Sequence, residues 1–167
     1  MESSIDESEL KGGRDLDSID HAILAALQSD GRLSNKELAA AVGLAPSSCL
    51  GRVRRLRQEA VILGFHADVS SEALGIGLQA MMSVRLERHR RDVVNAFRAH
   101  AWKQSEVIAV YHVGGAHDFL LHVAVRDSHH LRDLAMDAFT TRDEVAQIET
   151  HLIFEHRRKF QLPQYGS

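Results

Sequence analysis

Hydroxyl and arginine side chains share the outer face of a helix that the sequence predicts from Pro46 onward. At 3.6 residues per turn, Cys49, Val53 and Leu56 fall on one side of this helix, which is the spacing of a face that packs against a core. Serine hydroxyls and guanidinium groups can donate hydrogen bonds to base edges and phosphates in a major groove. We therefore predict that the opposite face and its flanks contact DNA through Ser47, Ser48, Arg52, Arg54 and Arg55.

A shorter helix precedes this one and is marked by its capping residues. Ser34 and Glu37 form the Ser-x-x-Glu pattern of a capping box. Gly43 stands where helices commonly end in a left-handed residue. Two helices joined by a tight turn that contains glycine are the helix-turn-helix unit of DNA-binding proteins. Asn35 and Lys36, at the start of the shorter helix, are predicted to bind DNA phosphate.

The positive charge of the chain is local. The 167 residues have a formal net charge of −3, so the total charge does not favour nucleic acid. A basic patch within an acidic protein can still attract phosphate. A solvated helix face is the alternative interpretation, but the capped helix and the glycine turn at the correct offset favour DNA. The patch comprises Arg32, Lys36, Arg52, Arg54, Arg55 and Arg57, with one acid, Glu37, among them.

Cysteine usage, histidine spacing and hydropathy exclude several other classes of protein. Cys49 is the one cysteine in the sequence, which excludes an intramolecular disulfide and a multi-cysteine metal site. The eleven histidines include no His-x-x-x-His pair with a nearby carboxylate, so no metal site is predicted. No apolar run is long enough to span a bilayer, and the acidic N-terminus lacks the pattern of a signal peptide. We expect a cytoplasmic protein without a membrane partner.

The remainder of the first half is predicted to complete a winged helix-turn-helix domain. Asp17 is expected to cap a first helix that runs to about Ser29. Residues 61–69 contain two β-prone runs around Gly64, which predicts a hairpin, the wing, beside the DNA-reading unit.

The second half alternates strand and helix patterns in the order βαββαβ. This order is typical of the ferredoxin-like fold, in which two helices cover one face of a four-stranded antiparallel sheet. We expect Trp102 and Met136 on the inward sides of the helices, and a homodimer to cover the other face of the sheet. The fold class is therefore α+β. The predicted elements are strands at 78–86, 106–113, 118–125 and 145–154 and helices at 91–102 and about 129–140; the predicted segments are a flexible tail at 1–14, the helix-turn-helix domain at 15–70, a linker at 71–77, the βαββαβ domain at 78–160 and a tail at 161–167.

Three stretches of the chain resemble the leucine-responsive/asparagine (Lrp/AsnC, feast/famine) family of transcription factors. They read LDSIDHAILAALQSDGRLSNKELAAAVGLAPSSCLGRVRRLRQ, VILGFHADVSSEALG and GGAHDFLLHV, and the likeness extends over residues 16–160. The resemblance implies a winged helix-turn-helix domain followed by an effector-sensing and oligomerisation domain. It also implies dimers that associate further, often into octamers, and a small effector, usually an amino acid, bound between dimers. The chain departs from the family at Gly51, where an arginine is common.

The loop between the second and third strands is similar to the family's Gly-Asp-aromatic-Asp motif. Here the motif reads Gly115, Ala116, His117, Asp118, so its first acid is missing and a histidine replaces the aromatic residue. Glycines allow a ligand to approach backbone N–H groups, and Asp118 can meet an amino group. By this resemblance the predicted effector-binding residues are Val113, Gly114, Gly115, His117 and Asp118.

Two other functions remain open at this point. One is an oligomeric small-molecule sensor with little DNA affinity, an alternative that Gly51 keeps open. The other is an enzyme in which Asp118 pairs with His117 or His122. Adjacent residues on a strand face opposite ways and no nucleophile motif is present, so no catalytic residue is predicted. A glycine-rich hairpin that binds no ligand is the alternative for the loop. The sequence favours a DNA-binding regulator without a resident cofactor.

Overall fold

The computed structural model describes residues 16–163, and its N-terminal unit is built from three helices. These are α1 (Ser18–Ser29), α2 (Asn35–Ala41) and α3 (Pro46–Gln58). The capping box predicted for α2 is confirmed, since Ser34 Oγ accepts from the Glu37 N–H and Glu37 Oε2 accepts from the Ser34 N–H. Gly43 has a φ of +70°, as predicted for the turn before α3. The flexible tail predicted for residues 1–14 lies outside the described residues.

The core of the N-terminal unit lies where the three helices meet. Ile23, Leu38, Cys49 and Leu56 are fully or almost fully buried there, so the predicted inward face of α3 is confirmed. Residues 158–163 also belong to this unit, and the Leu162 N–H donates to Gln28 Oε1 at 2.7 Å. Residues 68–157 form the second unit.

The predicted β-hairpin at residues 61–69 is wrong, because none of these residues forms a strand. The N–H groups of Val61 and Ile62 both donate to the Leu56 carbonyl, at 2.8 and 3.0 Å. They therefore close the C-terminus of α3, and these two N–H groups are not available to a β-ladder. A single residue such as Gly64 is also too short for a hairpin turn, which needs at least two central residues.

The second unit has the predicted βαββαβ order. It consists of β1 (Leu78–Leu86), α4 (Arg91–Trp102), β2 (Val107–His112), β3 (Phe119–Val125), α5 (Ser128–Leu134) and β4 (Val145–Leu152), with α5 continuing as a π-helical turn (Ala135–Thr140). The four strands form one antiparallel sheet in the order β2-β3-β1-β4, which confirms the ferredoxin-like fold. A short 3₁₀ turn (Glu72–Leu74) lies in the predicted linker.

Both helices of the second unit pack on one face of this sheet. Phe97 of α4 and Phe139 of the π-helical turn are fully buried there against Phe119 of β3. The predicted inward placement of Trp102 and Met136 is wrong, because these side chains are 64% and 52% exposed. In α4 the inward positions are Phe97 and Ala101, and Trp102 is rotated a further 100° around the helix. The wider π-helical turn similarly changes the phase of the buried positions.

The opposite face of the sheet is more polar. His122 of β3 is almost buried on this face, and its Nε2 lies 2.9 Å from Gln79 Oε1 of β1. Burial, with a smaller contribution from the charge of His156, lowers the pKa of His122. Among residues 16–163, every helix is too short or too polar to cross a lipid bilayer.

Candidate DNA-reading helix and effector loop

The outward surface of α3 presents side chains that are exposed and uncommitted. Ser47, Ser48 and Arg54 are exposed, and Lys36 is exposed at the start of α2. Within residues 16–163, no hydrogen bond or ion pair engages any of these four side chains. We call Ser47, Ser48 and Arg54 the reading face. Together with Lys36 they belong to the predicted DNA-binding set, and each of the four is free to bind a partner outside the chain.

Two of the predicted DNA-binding arginines are engaged within the protein. Arg52 Nη1 donates to Asp17 Oδ2 at 2.6 Å and to Asp20 Oδ1 at 2.9 Å. Arg55 Nη2 donates to the other oxygen of Asp20 at 2.5 Å. The four side chains form the arginine–aspartate cluster, which joins α3 to the start of α1. Its two cations are balanced by two anions, so the cluster has no net charge.

The cluster has a buried carboxylate at its centre. The Asp20 side chain is 1% exposed, whereas Arg52 and Arg55 are 29% and 42% exposed. Burial by itself raises the pKa of Asp20, but hydrogen bonds from Arg55, Arg52 and the Asp17 backbone N–H hold this pKa below its usual range. The pKa of Asp17 is also lowered, first by the Asp20 backbone N–H and then by Arg52. Both carboxylates are therefore ionised at neutral pH and hold the two guanidinium groups.

A further predicted contact residue also has a partner within the protein. Asn35 Nδ2 donates to the Pro46 carbonyl at 2.8 Å, which ties the first residue of α2 to the first residue of α3. Because Ala45 supplies no side-chain cap to α3, this bond and the N-terminal proline fix the beginning of the helix. Asn35 therefore links the beginnings of the two helices.

The loop between β2 and β3 is shaped by glycine and closed by backbone hydrogen bonds. Gly115 has a φ of +125°, a conformation in which a side chain would be strained, and Gly114 is exposed beside it. The Val113 N–H donates to the Asp118 carbonyl at 2.9 Å, which closes the loop at its base. Residues 113–118, the effector loop, thus present a short exposed backbone stretch on a fixed base.

Both carboxylate oxygens of Asp118 already have partners within the protein. Its Oδ2 accepts from the Leu86 N–H at 2.8 Å, and its Oδ1 lies 2.8 Å from Nδ1 of His89. The Asp118 side chain is 14% exposed, whereas His89 is 70% exposed. A ligand amino group would therefore compete with the exposed histidine and not with the buried backbone donor.

His117 faces a carboxylate that it shares with a second histidine. Its Nε2 lies 3.7 Å from Glu149 Oε2, and His151 Nε2 lies 3.8 Å from the same oxygen. The Nδ1 atom of His117 is buried and has no hydrogen-bond partner among the described residues. Across residues 16–163, no group of three or more His, Cys, Asp and Glu side chains has the arrangement of a metal site.

The amino-acid sequence matches two family models that together span most of the described chain. An AsnC-type helix-turn-helix domain matches residues 16–57, and an Lrp/AsnC ligand binding domain matches residues 79–161. The chain belongs to the Lrp/AsnC family. Among its Lrp/AsnC relatives, the HTH-type transcriptional regulator AldR of Mycolicibacterium smegmatis is 48% identical over 145 residues, which are 87% of this chain and 85% of that protein.

Solved structures of Lrp/AsnC proteins have the same fold. The crystal structure of MtbAldR superposes with a TM-score of 0.75 at 41% identity and covers 87% of this chain and 97% of that one. A transcriptional regulator of Neisseria meningitidis in complex with L-methionine gives a TM-score of 0.82 at 30% identity, over 89% and 96% of the two chains. The protein is thus a DNA-binding transcriptional regulator and not an enzyme.

Sequence reasoning did not find the residues that hold the site in place. The roles of Asp20, His89 and Glu149 depend on partners that are distant in the chain, and no local periodicity indicates them. For Asp20 one signal was available, because it stands three residues after the cap residue Asp17 and completes a capping box. That signal explains the helix start, but not the bonds to Arg52 and Arg55.

Proposed function

We propose that this regulator reads the major groove with Ser47, Ser48 and Arg54, and that Lys36 binds a flanking phosphate. The observation that carries this proposal is the division of α3 into an uncommitted reading face and an arginine–aspartate cluster. A guanidinium group without an internal partner can give both of its donor edges to a guanine or a phosphate. Arg54 is therefore the principal contact.

Arg52, Arg55 and Asn35 hold α3 in position for this contact. The first two share the carboxylates of Asp17 and Asp20, and the third bonds the Pro46 carbonyl. Their remaining N–H groups can still meet DNA, but removing the guanidinium groups from Asp20 would leave a buried charge uncompensated. Their first role is consequently to fix the angle at which the reading face meets the groove.

We further propose that the effector is an amino acid, bound at Val113, Gly114, Gly115, His117 and Asp118. The relative from Neisseria meningitidis binds L-methionine, and its fold is shared by this chain. In the effector loop, the exposed backbone at Gly114 and Gly115 suits a carboxylate, while Asp118 suits an ammonium group. The ammonium group replaces His89 at Asp118 Oδ1, so the free protein keeps this carboxylate partnered until the effector arrives.

The proposed regulation is a shift between assemblies. We propose that the chain forms homodimers through its sheet, that the dimers associate into a higher oligomer such as an octamer, and that the regulator acts in the cytoplasm. An effector that binds one assembly more tightly shifts the population toward it and changes the spacing of the DNA-reading helices. We also propose that the DNA-reading domain spans residues 15–70 and the effector domain residues 78–160, joined by the linker 71–77.

The experiment that tests this function couples DNA affinity to effector binding. Duplexes are selected from a randomised library with the full-length protein, and their affinity is measured by fluorescence anisotropy with each of the twenty amino acids. We expect at least one amino acid to change both the affinity and the oligomer size measured by light scattering. A protein that selects duplexes but responds to none of the twenty in either measurement would refute the effector part. A protein that selects no sequence would refute the DNA-reading part.

A further inference from the structure

Gly51 lies in the interior of α3, where nothing within the described residues calls for glycine. Its φ is not among the positive values that glycines alone adopt readily, which occur at Gly43, Gly75 and Gly115. A Cβ atom added to Gly51 would meet no atom within 4 Å. Glycine in a helix interior is less stable than alanine, because it loses more backbone entropy on folding. Neither backbone conformation nor packing therefore accounts for this residue.

A shallow groove, largely open to solvent, lies beside Gly51 on the outward surface of the helix. This groove has a volume of about 400 Å³. It lies beside the reading face, since Ser48 belongs to both. Its lining consists of Asp17, Ser48, Gly51, Arg52 and Arg55.

The charges around the groove suit a base edge better than a phosphate. Arg52 and Arg55 are neutralised by their bonds to Asp17 and Asp20. The Asp17 side chain is half exposed at the groove, so an entering phosphate would meet a carboxylate. The major-groove edge of a base pair instead offers an amino donor, on cytosine N4 or adenine N6, next to acceptors. Asp17 can accept from the amino group, while Ser48 and the arginines donate to the acceptors.

We propose that Gly51 is a specificity-determining residue, because it lets the major-groove edge of one base pair reach the backbone of α3 beside Asp17 and Ser48. This inference rests on the proposed DNA-reading role of α3. DNA recognition would then explain why a residue that lowers helix stability stands at this position, since a methyl group here would occupy the space that the base edge needs.

The test compares stability with sequence-specific binding in the full-length protein. Gly51→Ala and the bulkier Gly51→Leu are measured on a duplex that the wild type selects from a randomised library and on poly(dI-dC). Gln58→Ala, at the exposed end of the same helix, is the control. We expect Gly51→Ala to raise Tm while it weakens binding to the selected duplex at least about tenfold, and Gly51→Leu to weaken it further. Binding to poly(dI-dC) should not change, and repeated selection with Gly51→Ala should alter the preference at one base pair per half-site.

Three results would distinguish the role of Gly51 from the DNA-reading role of α3. Wild-type affinity of Gly51→Ala for the selected duplex would overturn the role of Gly51 and leave DNA reading by α3 intact. An equal loss of affinity on poly(dI-dC) would also overturn it, because the groove would then contact the DNA backbone. Failure of the wild type to select any sequence would refute the DNA-reading role of α3 itself.

Discussion

The reading face of α3 and the effector loop differ in how the chain holds their functional groups. The reading face lies on a regular helix that two capped neighbours, an asparagine and a charge-balanced cluster fix in place. The effector loop interrupts a hairpin, depends on a glycine with positive φ, and keeps Asp118 paired to an exposed histidine. Preorganisation of the helix reduces the free-energy cost of docking on DNA. The loop instead has a partner that a small ligand can displace, which is what a response to an effector requires.

Removing the central carboxylate of the cluster should have the largest effect on the free energy of unfolding. We expect Asp20→Ala to lower that free energy by about 3 kcal/mol, because the hydrogen bonds from Arg52, Arg55 and the Asp17 N–H are lost together. Urea unfolding measures it, and Asp68→Ala, which removes an exposed carboxylate, is the control. A loss as small as that of the control would mean that the cluster does not hold α3.

A side chain at Gly115 should damage the effector loop and leave the helix intact. Gly115→Ala has to adopt a φ of +125° or distort the loop, at a cost of about 1–3 kcal/mol. We expect calorimetry to show loss of amino-acid binding, with DNA affinity in the absence of effector unchanged. Gly75→Ala places a side chain at another positive φ, +76°, in the turn before β1 and serves as the control. Wild-type effector affinity in Gly115→Ala would contradict the proposed location of the ligand.

Acid should lower the free energy of unfolding by protonating the carboxylate that holds α3. The pKa of Asp20 in the folded protein lies below the ordinary value of 3.8, so its ionised form stabilises the fold above that pH and the contribution is lost as pH falls. We expect the difference in free energy of unfolding between the wild type and Asp20→Ala to shrink as pH falls below about 3.8. A difference independent of pH in that range would show that the carboxylate stabilises the unit by packing alone.

Freeing Asp118 from its histidine should have the smallest effect, and in the opposite direction. His89→Ala removes a competitor of the effector ammonium group while the Leu86 N–H still holds the other oxygen. We expect amino-acid affinity to rise about two- to fivefold, equivalent to about 0.4–1 kcal/mol. Calorimetry measures it, and His66→Ala is a control with the same loss of an exposed imidazole. Weaker binding in His89→Ala would show that the histidine is part of the ligand site.

The sequence could predict features that depend on neighbouring residues, but not those that depend on residues far apart in the chain. Ser34, Gly43 and Pro46 act through their immediate neighbours, so the start of both helices of the helix-turn-helix followed from local rules. Alternating and helical periodicities likewise placed the strands and helices of the second unit. The bonds of Arg52 and Arg55 to Asp20 join residues more than thirty positions apart, and only their charge and their place on the helix surface marked these arginines as DNA contacts. The predicted wing is wrong because the N–H groups of Val61 and Ile62 cap the C-terminus of α3.

The most direct test of the central claim is the DNA affinity of single arginine variants, measured at several salt concentrations. Wild type, Arg54→Ala and the control Arg98→Ala, which removes an exposed arginine of α4, are titrated with a selected duplex between 50 and 200 mM salt. The account predicts that Arg54→Ala loses about 1–3 kcal/mol of binding free energy while Arg98→Ala binds like the wild type. Equal affinities for all three proteins would contradict a DNA contact by the reading face of α3.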